Sequence, residues 1–191
     1  MSTVRCRHAL KEWAVVVQAL LDGRQVVLLR KGGIHEPHGE LGSPHEDFFF
    51  YPAREHQRLE LLKPEARGRY ATAFEPVVKP EAPELNAFAT LKAAVALGDA
   101  RKAYDLSDEH IWTEDYVRQR VEYKPDRPLF VLILRVHRLV RNVMVPWNER
   151  YAGCRSWVEL VEPVEAELGM PALDDEAFEA AVDRVRKLLD G

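Results

Sequence analysis

The run from Leu129 to Val140, LFVLILRVHRLV, constrains this chain more than any other stretch. It is rich in β-branched and large apolar residues and holds neither glycine nor proline, so it predicts a strand. Its apolar part, Leu129 to Leu134, is far too short to span a membrane. Two-residue alternation places Arg135 and His137 on the face of Val131 and Ile133. An arginine on a core-facing row needs an acid or an anion beside it, unless the strand end emerges into solvent.

The segments around this strand set the fold class. Residues 9–22 carry Leu10, Trp13, Val17, Leu20 and Leu21 at helical spacing, and Gly23 is a natural stop. Strands are predicted over 25–30, 47–51 (closed by Pro52), 84–97 and 156–161, with Val143 to Val145 continuing the main strand. A short helix is expected over 53–63, and 64–83 reads as irregular. A helix is predicted from Glu109 or Thr113 to Arg120, and a last one begins at Asp174 or Asp175. This order is not βαβ alternation. It predicts an α+β fold: a mixed, mostly antiparallel curled sheet, a partial barrel, with flanking helices. One domain over 1–162 is expected, with an acidic C-terminal helix within 163–191 packed on it or appended to it.

Charge narrows the partners. The net charge is -4, which argues against a generic polyanion-coating role. The imbalance sits at the end: residues 159–191 hold three Lys/Arg against ten Asp/Glu. The rest of the chain is modestly basic. Cys6 and Cys154 do not make a disulfide framework, and the N-terminus lacks the apolar run of a signal peptide. Reduced thiols and a cytoplasmic location are expected.

Several residues have the chemistry of a site. In Arg30-Lys31-Gly32-Gly33 a strand ends in two cations and two glycines, which lets backbone amides and a guanidinium approach a phosphate. The bland reading is a tight turn with solvated cations. Arg135 and His137 offer a second cationic strand end, and His56 follows the 47–51 strand toward a cleft. His35, His38 and His45 with Glu36, Glu40, Glu46 and Asp47 are metal-ligating types, but their spacing matches no known site, so no metal is assigned. Cys154 lacks an identifiable base, and His110 reads as structural. The chain carries no GxGxxG, GxSxG, Walker or Nudix pattern, and no cofactor is predicted.

Several strings together resemble a bacterial family, domain of unknown function 1802. They are Leu10-Lys-Glu-Trp13, Leu29-Arg-Lys-Gly-Gly-Ile34, Glu55-His-Gln57, His110-Ile-Trp112, Lys124-Pro125, Arg135-Val-His-Arg-Leu139 and Tyr151-Ala-Gly-Cys-Arg-Ser-Trp157. The likeness covers about residues 8–162. Some relatives are joined to a restriction-endonuclease-like domain, which implies a role near restriction–modification. Helix, Asp22-Gly-Arg-Gln25 and a strand ending in Arg30 are also similar to the opening of ASCH and other PUA-like domains. That likeness implies a small barrel of a kind that commonly binds RNA or modified bases. The expected function is a nucleic-acid or nucleotide-binding module, with Arg30, Lys31, Gly32, Gly33, His56, Arg135 and His137 as ligand contacts. The alternatives are a metal-dependent hydrolase or nuclease using loop 35–47, and an interaction domain without chemistry.

Overall fold

The computed structural model describes residues 2–31, 45–74, 82–153 and 156–191. In chain order these form β1 (Thr3–Trp13), α1 (Ala14–Leu21), β2 (Val27–Lys31), β3 (Asp47–Ala53), α2 (Pro64–Arg69), β4 (Glu84–Leu97), α3 (Glu114–Glu122), β5 (Leu129–Met144), β6 (Trp157–Pro171) and α4 (Asp175–Asp190). No helix among them is long and apolar enough to cross a membrane.

The long strand β5 organises everything else. Its first half lies between β2 and β4, and its second half between β4 and β6. The sheet order is β2-β5-β4-β3-β1-β6, and the β5–β6 pairing closes five of the six strands into a barrel. The β1–β3 pair is parallel, and the other strand pairs are antiparallel. The α+β class and the mixed, curled sheet are therefore as expected.

Alternation sorts the core into two layers. Ala9, Phe49, Phe88, Leu139, Val158, Leu160 and Ala166 form one buried cluster inside the barrel. Leu10, Phe48, Phe50, Ala87, Ala89 and Val136 point the other way, into a larger cluster shared with α1, α3 and α4. The stripe Phe178, Ala181, Val182, Val185 and Leu189 puts α4 into this second cluster. Asp174 caps that helix by accepting from the Ala177 amide.

Three expectations need correction. Residues 9–13 are strand, and the helix begins only at Ala14. Leu10 and Trp13 suit a helical period, but the segment pairs with both β3 and β6, and the tertiary ladder prevails. The side chain of Gln57 then accepts from the Val15 amide at 3.0 Å, serving an orphan donor at the helix start. The second correction concerns β6, which runs on to Pro171 rather than ending near Val161. Val164, Ala166 and Leu168 face inward between glutamates, a strand pattern that Pro163 and the acidic run conceal. The third concerns 53–74. A single 3-10 turn at Leu59–Leu61 replaces the expected helix, and α2 starts at Pro64, where the missing amide costs nothing. Strand β3 also passes through Pro52, because β4 pairs with it only as far as Phe49 and the far side needs no donor there.

The turn after α1 depends on Gly23, which has φ +66. A Cβ there would meet the Leu173 side chain at 2.5 Å. Gly23→Ala is expected to cost about 1–3 kcal/mol in chemical denaturation, from left-handed strain and the displaced leucine.

Candidate anion-binding site

The site grows from the end of β2. Arg30 stands opposite Phe130 on β5 and therefore shares its face. Its Nη2 donates to the Lys11 carbonyl at 2.8 Å and lies 2.9 Å from the Glu12 carboxylate. Nη1 lies 3.5 Å from the Ser156 hydroxyl. Its Nε is buried and has no hydrogen-bond partner among the described residues. The glutamate is buried as well, and its other oxygen accepts from the Trp13 amide at 2.8 Å. One carboxylate thus holds the guanidinium and the entry to α1 together.

An aromatic wall from α3 completes the cluster. Tyr116 is buried and stacks on Trp112, with centroids 4.6 Å apart and planes at 6°. Trp13 meets Tyr116 edge-on at 5.7 Å. The Arg120 guanidinium lies over the Tyr116 ring, 4.9 Å from its centre. Burial pushes the Tyr116 phenol above its ordinary range. Beside that phenol and Glu12, the Arg120 charge is held above its own. Arg30 is thus paired with the Glu12 carboxylate, and Arg120 lies on the adjoining aromatic wall. Such a group can accept an oxyanion while keeping water away from its apolar side.

The other expected contacts lie elsewhere. Lys31 projects to the opposite face and donates to the Val121 carbonyl near the end of α3 at 2.5 Å, where a cation suits the helix terminus. Gly32 and Gly33 lie outside the described residues, as do His35 to Glu40 and Cys154. His56 is exposed in a left-handed turn, φ 62. Arg135 falls on the face of β5 opposite to Phe130 and so to Arg30. Its guanidinium bonds Asp175 at 2.7 Å and the Asp174 carbonyl at 3.1 Å, over the Phe178 ring. That carboxylate and carbonyl, both from the C-terminal segment, are the partners its core-facing position demanded. His137 lies near the Gly169 carbonyl. The structure therefore does not bring Arg30, His56 and Arg135 into one cleft.

Glu12, Tyr116 and Arg120 were not singled out from sequence as a site. Tyr116 and Arg120 stand four apart on one helix face, a spacing that pairs side chains. Nothing in the sequence, however, announced that Glu12 leaves a strand to meet Arg30. Among the described residues, no three His, Cys, Asp or Glu side chains are placed to hold a metal ion.

His110 is structural in its surroundings. It is buried beside Trp112, and neither ring nitrogen has a partner among the described residues. Burial, helped by Lys63, lowers its pKa to about 4. The unfolded chain takes up this proton near pH 6.5, the folded one only near 4. Stability is therefore full above 6.5 and falls by about 3 kcal/mol between 6.5 and 4. His45, lowered by burial and by His8, acts in the same direction. His110→Phe should flatten most of this slope in urea titrations run from pH 7 to 4.

No curated protein matches the chain. Among solved structures, a serine-to-alanine variant of the ASCH protein from Zymomonas mobilis aligns with a TM-score of 0.49 and 15% identity, covering 94% of this chain and 98% of that one. The unmodified ASCH protein of the same organism gives 0.49 and 15%, with 92% and 93% covered. A family profile described as domain of unknown function (DUF1802) matches residues 9–184, and so includes most of α4. That match spans nearly all of both core layers, and the chain belongs to the DUF1802 family.

Proposed function

We propose that this domain binds a phosphate-bearing ligand, a nucleotide or a nucleic acid, at the Arg30–Arg120 pair. The observation that supports this is the Arg30 guanidinium of β2, held by Glu12 next to Trp13, whose ring meets the Tyr116 ring that carries the Arg120 guanidinium of α3. The buried Arg30 Nε adds a donor that no group among the described residues satisfies. Buried donors of this kind are seldom left unmet, and a phosphate oxygen would meet this one. In the acidic C-terminal segment, Asp175 of α4 pairs with Arg135.

The test is fluorescence anisotropy with labelled oligonucleotides and competing mononucleotides, with chelator and then with Mg²⁺, Mn²⁺ or Zn²⁺. Retention without cleavage in chelator is the expected result. Arg120→Ala, checked by melting for an intact fold, should cost on the order of 1–3 kcal/mol of binding, as for a charge-assisted hydrogen bond. Cleavage that requires metal would favour a hydrolase instead. Unchanged affinity in the variant would remove Arg120 from the site.

A further inference from the structure

A cavity of about 420 Å³ opens beside Trp157. Arg7, Glu149, Arg150 and Glu159 line it together with Trp157. Two features of the fold create it. A register shift in the β1–β6 ladder between Cys6 and His8 falls at Arg7, and the 3-10 turn Glu149–Tyr151 folds over the start of β6. The indole is fixed edge-to-face against Phe48 at 5.0 Å and His45 at 5.1 Å.

The lining has an unusual balance. Among the described residues, two guanidinium groups and two carboxylates line it, a balanced charge from which a phosphate gains little. Arginine donors and glutamate acceptors around an aromatic ring suit a flat, neutral heterocycle with both acceptors and donors on its edge. That is the chemistry of a nucleobase: guanidinium pairs with ring nitrogen and carbonyl acceptors, and carboxylate accepts from exocyclic amines. The Arg7–Glu159 contact, 3.5 Å with both side chains well exposed, is weak enough to be exchanged for such contacts.

Position links this cavity to the anion site. Ser156, whose hydroxyl lies 3.5 Å from Arg30 Nη1, immediately precedes Trp157 in the chain. Trp157 stands opposite Leu10 and so shares the face of β1 that carries Glu12. A base on Trp157 and a phosphate at Arg30 therefore lie side by side along one strand edge.

We infer that the Trp157 cavity is a nucleobase subsite for the same ligand whose phosphate meets Arg30 and Arg120. This rests on the phosphate-binding reading above. The test compares a labelled single-stranded oligonucleotide with an abasic oligomer of equal length, titrated onto the full chain. The base-bearing strand should bind roughly ten-fold more tightly, the gain expected of one stacked base. Arg150→Ala and Glu159→Gln, both at exposed positions, should shrink that ratio and leave abasic binding unchanged. Trp157→Leu should abolish it, provided the melting curve shows a folded chain. Competition by a nucleoside monophosphate as strong as by the oligomer would assign the subsite to free nucleotides, and weaker competition to nucleic acid. Equal affinity for both strands, with Arg120→Ala weakening each, would overturn the subsite and leave the phosphate site standing. No binding of either strand at low salt would overturn both.

Discussion

Replacing Glu12 with alanine is expected to destabilise the fold by about 3–5 kcal/mol, the usual cost of breaking a buried ion pair from one side. The side chains of Arg30 and Glu12 are 15% and 9% exposed, so water does little to rescue the orphaned guanidinium. The same carboxylate also accepts from the Trp13 amide, so the start of α1 loses a partner too. Glu12→Gln keeps that hydrogen bond and should cost less. The two variants should differ in a second, opposite way from ordinary core mutants. Both remove the negative charge paired with Arg30, so phosphate affinity at low salt should rise even as the midpoint of urea unfolding falls. A destabilised variant with unchanged or weaker affinity would show Glu12 to be purely structural.

Trp112→Ala is expected to cost a further-reaching 3–5 kcal/mol, roughly the range for removing a fully buried large aromatic side chain. Trp112 is 1% exposed, stacks on Tyr116, neighbours His110 and pairs with Leu62 in an isolated β-bridge between the segment before α2 and the segment before α3. Removing it takes the support from beneath the Tyr116 ring on which Arg120 rests. Its indole N–H is buried and has no partner among the described residues, so Trp112→Phe, which deletes that donor and keeps an aromatic ring, should be markedly milder. Guanidinium unfolding of the three proteins gives the ranking. An alanine variant as stable as the parent would show that the α3 layer contributes little to the core.

The sequence showed the fold better than the site. The strand at 129–144 was plain because no helical period fits LFVLILRV, and Asp174 marked its helix because capping chemistry is local. The β1 strand was hidden because its apolar residues fit two periods at once, and only pairing with β3 and β6 decides between them. The far half of β6 was hidden because its outward face is glutamate, the composition of a solvated stretch. Arg30 was legible as a candidate because a cation ending an apolar strand needs an anion. Its partner was not, since Glu12 is eighteen residues away and reaches it through the sheet order. Arg135 shows the same reasoning with a different outcome: the partners it needed came from the segment that opens α4.

The central claim is that Arg30 and Arg120 receive a phosphate. The most direct measurement is the salt dependence of oligonucleotide binding, compared between the parent chain and Arg120→Ala. Phosphate contacts release counterions, so the logarithm of the binding constant should fall linearly with the logarithm of salt concentration. Losing one contact should reduce that slope by about one. A parent chain whose affinity does not change with salt, or a variant with the parent's slope, would contradict the account.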